Sequence, residues 1–168
     1  HKAQAVPMAK LQWKPSTILN PVPVTMVTCA DAKGVPNIIT IAWTGTVSSD
    51  PPMVSISVRP ERYSHGLIAE RQEFVINLVT RNLVRAADFC GVKSGRTVDK
   101  FKAVKLTAEP ASVVAVPLIA ESPVNIECRV DRVIPLGSHD MFLARVVAVN
   151  VDERLIDAKG KLCLDRAG

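Results

Sequence analysis

The sequence predicts a mainly β fold, a β-barrel carrying short helices, and three observations support it. The β-branched residues gather in short runs broken by 12 prolines and 8 glycines, a texture that favours sheet over a helix bundle. Two long candidate strands, 124–135 and 139–152, are neighbours of a length that curls naturally into a barrel. No GxGxxG follows any candidate strand, which disfavours a doubly wound dinucleotide fold. At 168 residues and 48% hydrophobic, the chain has material for one substantial core and is short for two. A single domain over 1–168 is expected, with 1–20 as a lead-in.

Within that lead-in, 7–20 is a mixed stretch containing Trp13, closed by Asn20-Pro21-Val22-Pro23. The prolines oppose regular pairing, so a first strand, 24–30, begins only after them. Asp31-Ala32-Lys33-Gly34 reads as a turn and 35–43 as the returning strand, completing a hairpin. An irregular stretch, 44–52, precedes Met53 to Val58, which alternates with the period of a half-buried strand. After a polar connection, Ser64 is positioned to cap a helix through His65, Leu67, Ile68 and Ala69, and 74–79 is again a strand. Leu83, Ala86, Ala87 and Cys90 have helical spacing, with Gly91 as the expected stop. A loop, 92–96, leads to a second short helix at about 97–103. The two long strands then turn around Leu136-Gly137-Ser138.

Several function classes lose support at this level. No apolar stretch approaches the roughly 20 residues that span a bilayer, and the first residues lack a secretory signal's apolar run. The missing initiator Met suggests a processed or tag-derived start, so His1 is assigned no chemistry, and the end at Gly168 is expected to be incomplete. Cys29, Cys90, Cys128 and Cys163 are scattered without a CxxC pair, as expected of small buried residues in a reducing, cytoplasmic setting. No histidine has metal-ligand spacing, so no metal is expected. The formal charge of +5 is dispersed and aromatics are 4%, which suits a small anionic ligand better than nucleic acid. A GxSxG elbow is missing, and the P-loop likeness of 91–97 fails because its glycines are too close and Arg96 stands where a lysine belongs.

Two places have chemistry to offer. Ser57-Val58-Arg59-Pro60-Glu61-Arg62-Tyr63-Ser64 joins a strand end, a basic turn and a helix start, whose free amides and partial positive charge suit a phosphate. Lys93-Ser94-Gly95-Arg96-Thr97 repeats the theme before Lys100. The alternatives are a capped helix with solvated arginines and a plain surface loop. Ahead of both, Trp43-Thr44-Gly45-Thr46 follows a strand rich in apolar residues, and Gly45 allows a ligand to approach the backbone closely.

Thr40-Ile41-Ala42-Trp43-Thr44-Gly45, Ser48-Ser49-Asp50-Pro51-Pro52 and 57–64, in that order and spacing, resemble the flavin reductase-like, FMN-binding split-barrel family. The likeness continues through Phe74-Val75-Ile76-Asn77-Leu78, Ser94-Gly95-Arg96 with Asp99-Lys100-Phe101, Ser122-Pro123-Val124-Asn125-Ile126-Glu127-Cys128 and Gly137-Ser138-His139-Asp140. It covers the chain from about Asn20 onward and is nearest the flavoredoxin-like branch.

The resemblance implies a Greek-key antiparallel split barrel and a homodimer with FMN near the subunit interface. It implies that the isoalloxazine lies by Thr40, Ala42, Trp43, Thr44 and Gly45. Arg59, Tyr63 and Ser64, with Ser94, Arg96 and Lys100, would form the ribityl and phosphate end. His139 matches the histidine of the family's Gly-Asp-His segment on the nicotinamide side, although Ser138 replaces the aspartate. The expected activity is NAD(P)H-dependent reduction of a flavin, a ferric chelate or a redox protein through FMN. A flavoredoxin-type electron carrier is the alternative, and a storage or sensory flavin module a third.

Overall fold

The protein is described here by a computed structural model, in which residues 7–168 are placed. The expectations for the chain's first residues fall on 1–6, outside the described part. Residues 7–24 carry no regular structure, and β1 (Thr25–Ala30) begins beyond the prolines, as their missing N–H groups require. Asp31 Oδ1 accepts from the amides of Lys33 and Val35, each at 2.9 Å, and Gly34 takes φ +83°. That side-chain-made turn returns the chain as β2 (Pro36–Ile41), antiparallel to β1.

The stretch expected to be irregular instead contains β3 (Thr44–Ser49), which forms a hairpin with β4 (Pro52–Val58), the strand expected from Met53 to Val58. Its first strand, Thr-Gly-Thr-Val-Ser-Ser, is mostly exposed and shifts register between Thr46 and Ser48. An edge strand of this kind has no buried face to write an alternating pattern into the sequence.

Helix α1 (Tyr63–Arg71) leads into β5 (Glu73–Leu78). Ser64 does not cap α1. The cap position is Arg62, without a side-chain cap bond, and Ser64 sits in the first turn with its hydroxyl engaged by Asn37. One 3-10 turn, Arg81–Leu83, precedes α2 (Val84–Val92), which runs through Gly91 rather than stopping there. A Cβ at Gly91 would stand 3.3 Å from Thr40 Cβ, so this glycine permits close packing of α2 on β2. The last helix is shorter than expected, α3 (Lys100–Ala103), because Asp99 Oδ1 accepts from Lys102 N at 3.1 Å and sets the start.

A two-residue ladder, β6 (Ala108–Glu109) with β7 (Leu118–Ile119), precedes β8 (Val124–Pro135) and β9 (Asp140–Val151). The long strands pair antiparallel with register shifts at Glu127/Cys128 and Val130/Arg132, which bend them as a curled sheet needs.

Seven strands form one antiparallel sheet in the order β2-β1-β5-β8-β9-β4-β3. Its edge strands, β2 and β3, are joined by Ala42-Trp43 alone. Seven flat strands would separate the edges by roughly 29 Å, whereas three Cα steps span at most about 11 Å. The sheet must therefore roll into a barrel. The Ser57 amide donates to the Trp43 carbonyl at 3.0 Å, extending the β3–β4 ladder by one pair, while β2 and β4 form no ladder with each other and leave a split between them.

Val27, Cys29, Ile39, Ile41, Val54, Ile56, Phe74, Ile76 and Phe142 fill the interior, with Leu67 and Ile68 of α1 among them. A second cluster, including Met26, Ile38, Leu83, Ala87, Cys90 and Phe101, packs α2 and α3 against the outside of β1 and β2. The strand β1 is consequently buried on both faces. By clamping β2 from outside, these helices hold one wall of the split in place.

Candidate functional site

The split is a cleft of about 220 Å³ lined by Ile39 to Trp43 on one side and Ser57, Val58, Arg59 and Arg62 on the other, with His139 at its mouth. A second cleft of about 170 Å³ shares Ile39 and Arg62 with it and is lined by Asn37, Tyr63, Ser64, Lys93, Ser94, Gly95, Arg96 and Lys100. The first combines the backbone edge of 39–43 and the Trp43 ring with Arg59, Arg62 and His139. The second gathers four cationic side chains against one carboxylate, Glu61. The pair therefore suits a flat apolar ring joined to an anionic tail.

At the ring-type end, Trp43 is 46% exposed and lies 4.6 Å from the His139 ring at an interplanar angle of 35°. His139 Nδ1 and Ser138 Oγ are hydrogen-bonded at 2.8 Å. Partial burial and the Arg59 charge press the His139 pKa below its ordinary value, with Glu61 opposing. The imidazole is thus neutral near pH 7. Beside it, His65 Nε2 and Asp140 Oδ2 pair at 2.7 Å and tie α1 to the start of β9, fixing the strand that His139 immediately precedes.

Several hydroxyls expected to face a ligand are already engaged. Thr44 Oγ1 donates to the Ser55 carbonyl at 2.8 Å, and Thr40 Oγ1 donates to the Ala87 carbonyl. Thr40 and Ala42 border the split, whereas Thr44 and Gly45 border a separate cleft with Ser16 to Asn20 and share only Ala42, Trp43 and Ser57 with it.

At the cationic end, Arg62 donates through both terminal nitrogens to the Gly91 carbonyl at 3.2 Å, standing between the two clefts. Arg96 lies over the Tyr63 ring at 5.5 Å and donates to the Glu61 carbonyl at 3.1 Å, so the second cationic segment folds back onto the first. Lys100 is buried and its Nζ donates to the carbonyls of Ile38 at 2.7 Å and Cys90 at 2.8 Å. Its burial lowers its pKa, a change that Cys90 and Cys29 oppose and Arg62 reinforces. Cys29 is pushed up to about 11, chiefly by burial, so it is a thiol here and no nucleophile.

The fold thus brings Thr40, Ala42, Trp43, Arg59 and His139 around the split and Tyr63, Ser64, Ser94, Arg96 and Lys100 around its neighbour. Asn37 and Ser57 were not anticipated. Asn37 had a readable signal, an asparagine inside an otherwise apolar strand where that residue is depleted. Among the described residues, no group of three or more His, Cys, Asp or Glu side chains is arranged to hold a metal, and no helix is long and apolar enough to cross a membrane.

Comparison with known proteins yields a match to the flavin reductase like domain over residues 19–164. The fold superposes on flavoredoxin of Desulfovibrio vulgaris (Miyazaki F) with a TM-score of 0.88 at 32% identity, covering 95% of this chain and 85% of that one. An FMN-binding protein from Thermus thermophilus, with 1-cyclohex-2-enone bound, superposes with a TM-score of 0.78 at 26% identity, over 94% of this chain and 86% of that one. Among sequence relatives, an NADPH-flavin oxidoreductase of Streptomyces viridifaciens is 30% identical over 76% of this chain and 65% of its own length.

Proposed function

The chain belongs to the flavin reductase-like domain family, and from that premise we propose that it is an FMN-binding oxidoreductase that takes electrons from NADH or NADPH and passes them to a second flavin, a ferric chelate or a redox protein. The observation that carries this reading is the adjacency of the two clefts, which share Ile39 and Arg62, the first bordered by the Trp43 and His139 rings and the second strongly cationic. FMN has that same division between ring and phosphate. When bound, it would supply the hydride and electron chemistry itself, and the chain's task is to bind and orient it.

The individual roles follow from position. Ile39, Ile41 and Val58 contribute apolar wall, and the backbone of 40–43 faces the ring edge. Arg59 and Arg62 bring positive charge to the junction, and Ser64, Ser94, Arg96 and Lys100 surround the anionic end. A neutral His139, tilted against Trp43 at the mouth, would not repel the positive charge that a nicotinamide ring gains on giving up hydride, which supports a place on the donor side of the site. The exposed apolar side chains of Met8, Leu11, Trp13, Ile18 and Leu19 support a homodimer, which light scattering on the purified protein tests.

A visible spectrum of the purified protein, with identification of any released chromophore, checks the cofactor. A colourless protein that also fails to bind added FMN defeats the reading. Anaerobic stopped-flow mixing with NADH and NADPH checks the donor, and flavin bleaching with at least one is expected. No bleaching with either leaves the second reading, a carrier reduced by a protein. That reading is favoured by Ser138 beside His139 and by the similarity to flavoredoxin.

A further inference from the structure

The geometry points to Asn37 as the positioning residue of the anionic end, a brace that sets the separation between the two cationic segments and so decides whether a phosphate is gripped from both sides. This inference rests on the flavin reading above and adds to it a residue that neither contributes charge nor heads a helix.

Asn37 lies on β2, directly opposite Cys29 of β1, and is 4% exposed. Its Nδ2 donates to Ser64 Oγ at 2.8 Å, reaching the first turn of α1. On its other side is Gly95 of the loop before α3. A Cβ added to Gly95 would stand 2.3 Å from Asn37 Oδ1, 2.6 Å from its Cγ and 2.7 Å from its Nδ2. No real Cβ tolerates such distances, and the amide cannot yield without releasing Ser64. The loop therefore closes over Asn37 only because position 95 has no side chain.

Asn37, Ser64, Gly95 and Arg96 all line the same cationic cleft. Along the loop, Arg96 N donates to Ser94 Oγ at 3.2 Å, so the placement of Gly95 carries its two neighbours with it. A single buried amide thereby positions a hydroxyl from α1 and a cationic turn from the loop, segments that are 31 residues apart between Ser64 and Gly95. Charge alone does not produce this alignment, since Lys93, Arg96 and Lys100 sit on a loop and a four-residue helix with little rigidity of their own.

The test compares FMN with riboflavin, which lacks the phosphate, by fluorescence titration of each onto apoprotein of wild type, Asn37→Leu and Gly95→Ala. Asn37→Leu nearly keeps the side-chain volume and adds no charge but can neither donate to nor accept from Ser64, and Gly95→Ala pushes the loop off Asn37. Each variant is expected to lose about tenfold in FMN affinity with riboflavin affinity held within about twofold, and thermal melting confirms that it is folded. Equal losses for both ligands in folded variants, or no loss for FMN, overturn the role of Asn37. If Asn37→Leu does not fold, Gly95→Ala decides alone by the same ratio. A wild-type protein that binds neither flavin defeats the functional reading instead, a result distinct from either outcome for the variants.

Discussion

Among the described residues two charged side chains are buried, Lys100 and Glu127, and they are buried in opposite ways. Glu127, on β8, faces a full set of donors: the amides of Ser112 at 2.9 Å, Val113 at 2.7 Å and Val114 at 3.0 Å, the Ser112 hydroxyl, and Asn150 Nδ2 at 2.6 Å. Those hydrogen bonds, from Ser112, Val114 and Asn150, outweigh its burial and hold its pKa down at about 2. Lys100 has two carbonyl acceptors, and for it burial prevails, lowering the pKa. An ammonium has three N–H groups, and Lys100 also borders the cationic cleft. A saturated ion serves the fold, holding the 112–114 loop on the barrel. An ion with capacity to spare beside a cleft is available to a ligand as well.

The largest effect is expected where saturation is destroyed. Glu127→Ala leaves three amides, a hydroxyl and an asparagine without their acceptor and should cost about 3–5 kcal/mol, read from chemical denaturation, with flavin affinity of the folded protein unchanged. A stability loss below 1 kcal/mol would break the contrast. The pH dependence probes the same group. Because the folded-state pKa is depressed from the ordinary 4.5 to about 2, its contribution is complete above pH 4.5 and disappears as the pH falls toward 2. That loss should amount to about 3 kcal/mol and should be missing from the acid titration of Glu127→Gln.

Lys100→Met keeps the apolar stem and removes the charge. It should cost about 1–3 kcal/mol, less than Glu127→Ala, and weaken FMN more than riboflavin, which the alanine variant of Glu127 would not do. Equal weakening of both ligands would class Lys100 with Glu127 as purely structural. The smallest stability effect is expected for Arg59→Ala, within about 0.5 kcal/mol because the residue is exposed. Its FMN affinity should still fall about tenfold relative to riboflavin, separating binding from folding at a single position.

Much of this was legible in the chain. The β1–β2 hairpin followed from Asp31 and Gly34, and α1 and β5 from their apolar spacing. The long C-terminal strands followed from their length. The edge strand β3 was not legible, because Thr44 to Ser49 buries no face and so carries no period. Ser64 has the chemistry of a cap, but whether it caps or lines a cleft depends on Asn37, a residue on another strand. Lys100 was expected at the phosphate end, and only the approach of Ile38 and Cys90 showed that its ammonium is also held by backbone carbonyls.

By itself, then, the sequence determined the β-rich character, the order of the elements and the residue types from which an anionic-ligand site is built, because propensity, turn chemistry and charge are local properties. The tertiary structure alone decided that β2 and β4 part to form a split, that Arg96 folds back over Tyr63, and that Gly95 closes on Asn37. Those contacts join segments far apart in the chain, and their distances are set by the rolling of the sheet and the packing of α2 and α3 against it. No local pattern encodes that closure.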